Sequence, residues 1–374
     1  MHLPPSQTLQ IKYLSRLFDN TSECYKFFWF KAIIAKVIDG KETVTYDELV
    51  NEMIADAWYM VTEYHLNLGP NDTLEKLVHH IQHISNMKSS EKKECILAFL
   101  VDCQDKEVKR YKRTLTYNVP YRLQAPFMDK LKGSEWNVSE STLITKINAE
   151  KRLIYYIDNL NGMQTLIRIQ PEWCDYIQSN KEIIKGWLQY NMIMYLQRRN
   201  PSVPGIADKL SPPQERKLEK VKKYWKLLIT ISPMKDIYGE KDITEKNISI
   251  DHFVPWSYVA HDEFWNLHPT LKEINSSKNN NLPDWNKYFE KFAKTEFISY
   301  ELMHKHDRLR VEFEKCAREH LNNDEVRRKI YRDGLQFSEF ARGLEEVVQP
   351  VYTAAKNCGF KEWILPLGFC EKGL

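Results

Sequence analysis

The chain is short of long apolar runs. Nothing in its 374 residues approaches the roughly 18 consecutive apolar residues of a membrane span. Its greasiest segment, Phe27 to Val37, is interrupted by Lys31 and Lys36. The opening Met1, His2, Leu3, Pro4, Pro5, Ser6 lacks a basic start followed by an apolar block, so no signal peptide is expected and the location is read as cytoplasmic. Cysteine is sparse and unpatterned: Cys24, Cys95, Cys103, Cys174, Cys316, Cys358 and Cys370 include no C-x-x-C pair. That speaks against a disulfide framework or a thiolate zinc site, and for free thiols in a reducing compartment. Glycine-rich phosphate loops of the Walker or dinucleotide type are missing, which removes support for an ATPase or a dehydrogenase. Internal repeats and low-complexity tracts are missing too.

Neither sign of charge is in large excess. A net charge of +3 is too small to argue for nucleic acid. Its distribution says more: Lys106, Lys109, Arg110, Lys112 and Arg113 form one basic run, followed by Tyr117, Tyr121 and Arg122. A second run comprises Lys217, Lys220, Lys222, Lys223 and Lys226. With 43% hydrophobic and 28% charged residues, the chain has the composition of a globular protein, long enough for two or three compact units.

Hydrophobic spacing predicts helix through most of residues 10 to 105, from Leu14, Leu17 and Phe18 and then Phe30, Ile33, Ile34 and Val37. Thr45 followed by Glu48 is a capping-box start for a helix beyond the Gly40 break. This fits either a winged-helix-like module or a plain helical bundle. Leu153 to Ile157 and Thr165 to Ile169 are β-rich runs around the turn residues Asp158, Asn159, Asn161 and Gly162, predicting a small hairpin. Helix returns from Trp173 to Arg199, with a break near Pro171. Helix breakers then cluster at Pro201, Pro204, Gly205, Pro212 and Pro213, before a helix from about Gln214 to Leu228. The expected fold class is α+β, mainly helical. The expected domains are a recognition or regulatory region over 1–200, a Pro-rich junction and connecting helix over 201–245, a catalytic module over 246–286, and a helical region over 287–374.

The chemistry concentrates between Ile248 and Pro283. Ile248 and Ile250 alternate with Ser249, so the run into Asp251 and His252 is a short strand with one buried face. A loop from Pro255 to Phe264 returns the chain to a second strand around Asn266 to Thr270. Leu271 and Ile274 mark the inner face of a short helix, on which Asn275 and Lys278, three apart, share a neighbouring face. A hard divalent ion needs few protein oxygens, and Asp251 with Asn275 can supply them. A neutral histidine beside such a site can take a proton from water. Adjacent residues of a strand point to opposite faces, so Asp251 and His252 reach one site only if the strand end is twisted or bulged.

The pattern Asp-His-x-x-Pro-x-Ser, then Asn-Leu, then Asn-x-x-Lys and a closing Leu-Pro resembles the HNH, or ββα-metal, endonucleases. His252 to Asn266 spans 14 positions and Asn266 to Asn275 spans 9. The likeness is closest to members with asparagine as third signature residue, including the HNH domain of CRISPR effector nucleases. It covers about a tenth of the chain and implies a ββα-metal module in the C-terminal half. By resemblance, His252 is the general base, Asp251 and Asn275 hold the metal, Asn266 is the structural asparagine that fixes where His252 points, and Lys278 contacts a phosphate or the loop. The implied cofactor is Mg²⁺ or Mn²⁺. With no paired cysteines around the motif no structural zinc is expected, and Trp256, Trp265 and Trp285 offer bracing instead or are ordinary core. The implied activity is hydrolysis of DNA phosphodiester bonds by the effector of a bacterial defence or restriction system. The alternative is a catalytically silent DNA- or partner-binding protein. The expected partners are DNA, contacted at Lys109, Arg110, Lys112 and Arg113, and a regulatory or sensor protein. His79, His80 and His83 have no carboxylate at metal-site spacing and read as helix-surface histidines, while His268 reads as a packing or substrate-facing residue.

Overall fold

The computed structural model describes residues 2–128, 131, 133–212, 217–367 and 369. Helix predominates, with short strands, in line with the expected class. The chain divides into two compact units, Met1–Pro201 with Lys209–Pro212, and Ser202–Asp208 with Pro213–Leu374.

The N-terminal unit is built around the helices Tyr25–Ile38 and Tyr46–Thr62. The first ends where Gly40 takes φ +81°, a conformation that costs glycine little. The second starts at Thr45, whose hydroxyl accepts the Glu48 N–H at 3.1 Å while the Glu48 carboxylate accepts the Thr45 N–H at 2.8 Å. The hairpin is present as β2 (Tyr155–Asn159) and β3 (Leu166–Ile169). A third strand, β1 (Thr43–Thr45), pairs with β3 inside the segment expected to be helical. Three residues cannot show an alternation, and these gain their place from the pairing of Val44 with Ile167. Pro171 begins the helix Pro171–Ser179 at a position that needs no N–H donor.

The C-terminal unit starts with the helix Glu219–Ile231; Gln214 and Pro213 of the expected junction lie outside the described residues. Strands β4 (Ile248–His252) and β5 (Leu267–Leu271) form an antiparallel ribbon, followed by the helix Lys272–Lys278. The helices Trp285–Lys305, Asp307–His320, Asp324–Ile330 and Phe337–Asn357 share a core with this ribbon. Phe253 stacks on Phe292 at 4.4 Å, and Trp285 stacks on Phe289 at 4.1 Å. Trp225 Nε1 donates to the Leu267 carbonyl at 3.2 Å, and Trp265 is buried. Finally β6 (Leu282–Pro283) pairs in parallel with β7 (Glu362–Trp363), bringing the end of the last long helix back to the ribbon's exit.

Candidate active site

Strand alternation decides where each polar group goes. Asp251 pairs across the ribbon with His268, and Ser249 with Thr270, so these four share one face. Ile248, Ile250 and His252 occupy the other. The pairing keeps regular register to His252 and Leu267, so no bulge turns the strand end. Asp251 and His252 consequently have different partners.

On the polar face, Tyr238 Oη donates to Asp251 Oδ2 at 2.8 Å and Lys278 Nζ donates to Asp251 Oδ1 at 3.1 Å. Lys278 also donates to the His252 carbonyl at 2.7 Å. Asn275, one turn before Lys278, donates its amide to Ser249 Oγ at 2.9 Å and to the Ile250 carbonyl at 3.0 Å. Deeper in, Asp236 accepts from Thr270 Oγ1 and from the backbone N–H groups of Tyr238 and Gly239. Burial pushes the Asp251 carboxyl up, but the Lys278 charge, then His268 and the Tyr238 and Lys278 hydrogen bonds, outweigh it and hold the group below the usual carboxylate range. His268 is fully buried, which lowers its pKa to about 4 against the pull of Asp251. Its Nε2 is 3.7 Å from Asp251 Oδ2, and neither ring nitrogen has a hydrogen-bond partner among the described residues.

On the other face, His252 Nε2 meets Asp262 Oδ1 at 2.6 Å. Asp262 lies in the loop between the strands, and its carbonyl accepts from His320 Nδ1 at 2.8 Å. Next to it, Glu263 accepts from Asn322 Nδ2 at 3.1 Å, so the end of the helix Asp307–His320 braces this loop. Asn266 ties the loop from inside: its Oδ1 accepts the Val254 N–H at 2.7 Å and its Nδ2 donates to the Val254 carbonyl at 2.9 Å. Asn266 is completely buried.

The structure therefore gathers Asp251, Asn275 and Lys278 on one side of β4 and sets His252 with Asp262 on the other. The basic run lies elsewhere, on the helix Lys106–Thr116 of the N-terminal unit, and it is not one surface. Lys112 is buried, 3.0 Å from Asp47, which removes it from the expected DNA contacts. Arg110 pairs with Glu107 and Lys109 with Gln104, while Arg113 is exposed. Tyr121 is buried with its hydroxyl on Glu140; Tyr117 is exposed. His80 sits against Asp105 at 3.0 Å.

Asp262, Tyr238, Asp236 and His320 were missed by sequence reasoning. Tyr238 and Asp236 sit in a turn closed by the Lys235–Asp242 bridge, where no periodicity exposes them. Asp262 carried one usable signal, a carboxylate in the loop that joins the two signature strands.

Among the described residues no three His, Cys, Asp or Glu side chains gather in a way that could hold a metal ion. The donors near β4 are oxygens: the ionised Asp251 and the Asn275 Oδ1, which accepts no hydrogen bond among the described residues. Such a pair suits a hard ion that keeps most of its waters. The Lys278 ammonium on Oδ1 already shares that carboxylate.

A sequence model of the HNH endonuclease family matches residues 236–284. The match takes in the Asp236 turn, the ribbon and the helix that follows it, and the C-terminal unit therefore carries an HNH endonuclease module. Nucleases of this family are metal-dependent and act on DNA. Among curated proteins and among solved structures, nothing matches the chain. Among the described residues no helix is long and apolar enough to cross a membrane.

Proposed function

We propose that this protein is an endonuclease that hydrolyses DNA phosphodiester bonds with Mg²⁺ or Mn²⁺ as cofactor. The observation that carries the reading is the coincidence of the family match with one buried polar assembly, in which Asp251 is ionised beside Asn275 and Lys278. His252 acts as general base toward the attacking water. Asp262, bonded at Nε2, fixes the ring and stabilises its protonated form. Asp251 and Asn275 would hold the ion, which requires the end of β4 to twist so that this face and His252 meet at one phosphate. When bound, it supplies Lewis-acid stabilisation of the phosphate charge and the leaving oxygen. Lys278 anchors the helix Lys272–Lys278 to the strand end, and Asn266 holds the loop from which Asp262 reaches His252. The same unit offers phosphate contacts: Arg328, Arg332 and Arg342 are exposed and line a groove of about 530 Å³, shared with Glu325, Glu339 and Glu346, the last of which interacts with Arg342. The cellular setting we propose, an effector in a defence or restriction system, rests on the family resemblance. Its test is the plating of phage on cells carrying the parent or the His252→Ala protein.

A second reading, a silent module that only binds DNA or a partner, is favoured by two facts. His252 is 2% exposed, and Lys278 already occupies Asp251. Plasmid nicking with and without Mg²⁺ separates the two. Metal-dependent nicking by the parent that is lost in His252→Ala supports the enzyme; Mg²⁺-independent DNA binding without nicking supports the silent module.

A further inference from the structure

A cleft of about 610 Å³ opens in the N-terminal unit, with Arg16, Lys26, Asn118 and Arg122 in its wall. That volume falls in the range of small-molecule sites. Two of its cations have no carboxylate within ion-pair distance among the described residues. Among the described residues Lys26 Nζ donates only to the carbonyls of Leu17 at 3.4 Å and Asn20 at 3.0 Å. The Arg122 guanidinium lies over the Trp136 ring at 4.2 Å, and no carboxylate pairs with it among the described residues. Arg16 differs, being bonded to Asp19 at 3.3 Å. Glu23 is the remaining carboxylate of the cleft; burial, then the Asp72 charge, raise its pKa, with Arg199 opposing. Burial lowers the pKa of Lys26, the Arg122 charge lowers it further, and Asp19 opposes both. Two like charges held in one concavity are unfavourable for the empty protein and favourable for an entering anion.

A second cavity of about 250 Å³ shares Asn118 and Arg122 with the first. Its wall is aromatic, from Tyr117, Tyr121 and Trp136, with Glu140 bonded to the Tyr121 hydroxyl at 2.5 Å. Tyr117 stays 62% exposed and offers a ring face. Carboxylate and amide oxygens here can accept from the amino group of a base, as the cations next door can bind phosphate. We propose that the N-terminal unit binds a free nucleotide, its phosphates at Lys26 and Arg122 and its base against Tyr117 in the aromatic cavity. A nucleic-acid strand would need a track of free cations leading out of the cleft. The helix Lys106–Thr116 gives only Lys106 and Arg113 to such a track, because Lys112, Arg110 and Lys109 are engaged by Asp47, Glu107 and Gln104. The site is independent of the nuclease chemistry.

Isothermal titration of the full chain tests this, with the four ribonucleoside triphosphates, inorganic pyrophosphate and a single-stranded thymidine oligonucleotide as probes. At least one nucleotide is expected to bind with a Kd below about 1 mM, a free energy of roughly −4 kcal/mol. Lys26→Gln and Arg122→Gln should each weaken it about tenfold or more, without lowering Tm, since each relieves the repulsion. Tyr117→Ala should weaken the nucleotide and leave pyrophosphate unchanged. Should Arg122→Gln fail to fold, Arg122→Lys keeps the charge and should retain most of the binding. The proposal is overturned if no nucleotide binds at millimolar concentration or if the Lys26 and Arg122 variants bind as the parent does. Tighter, Lys26-dependent binding of the oligonucleotide would also overturn it, in favour of a strand.

Discussion

Lys112 and Arg328 are both cations in basic stretches of helix, one in each unit, and they have opposite fates. Lys112 turns inward to Asp47 and the Leu100 carbonyl. Arg328 stays exposed beside Arg332 and Arg342. The N-terminal unit buries its charges as ion pairs, with Lys36 on Glu52 at 2.6 Å and Lys93 on Glu52 and Asp56 at 2.6 and 3.0 Å. Each unit also holds buried polar atoms without a hydrogen-bond partner among the described residues, on Glu23, Tyr46 and Asn51 in the first and on His268, Glu296 and His320 in the second. Satisfied buried pairs fix a structure, whereas unsatisfied ones cost stability and mark places kept for other reasons. Substitutions in the ion pairs should therefore show in stability, and those at His252 and Asp262 in cleavage.

The largest effect is expected at the base. His252→Ala should cut single-turnover cleavage by a factor of about 10²–10⁴ with the fold intact; parental rates would erase the contrast. Asp262→Asn should follow with a loss of about 10- to 100-fold, by analogy with groups that orient a catalytic or ligating histidine. A fall in Tm with unchanged cleavage per folded molecule would reduce Asp262 to a fold contact. The two basic stretches then separate by assay. Lys112→Ala should cost about 1–3 kcal/mol in urea unfolding, because Asp47 loses its partner, and leave the salt dependence of DNA binding alone. Replacing Arg328, Arg332 and Arg342 by Ala should leave stability alone and reduce the slope of log K against log salt by up to about 2.7. The reverse pattern would overturn the division of labour.

The smallest effect concerns Glu296, 2% exposed with Oε1 unpartnered among the described residues. Burial raises its carboxyl well above the ordinary 4.5. The folded chain thus keeps a proton that the unfolded chain releases above about pH 4.5, so stability falls as pH rises from there and the cost is present at neutral pH. Glu296→Gln should raise Tm at pH 7 by about 2 °C or more and change little near pH 4.

Where the signal is local, the chain is readable. The Thr45–Glu48 cap, the alternation of Ile248, Ser249 and Ile250, and the spacing of Leu271 and Ile274 each depend on neighbours within one turn or strand, and the corresponding elements are present. What escaped depends on residues far away in sequence. Strand β1 needs β3 to exist, Lys112 needs Asp47, and Asp262 matters because the loop folds back on His252. The site was legible in the same measure. Asp251, Asn275 and Lys278 share a face because helix and strand periods put them there, while the partners Tyr238 and Asp262 come from loops that carry no period.

The parallel pairing of β6 with β7 has a consequence for the order of events during synthesis. Leu282 gives its N–H to the Lys361 carbonyl at 2.9 Å, and Asp284 gives its own to Trp363 at 2.9 Å. The Tyr352 hydroxyl donates to the Pro283 carbonyl at 2.9 Å. These bonds close the exit of the nuclease ribbon with chain that a ribosome makes after the whole catalytic motif. A nascent chain that has just exposed His252 and Lys278 still lacks the strand and the helix that hold Leu282, Pro283 and Asp284. Completion of the module waits on a contact between segments distant in sequence, whose closure is slow compared with local helix formation. The segment similar to HNH endonucleases is thus closed late, and truncation before Glu362 should leave β6 unpaired.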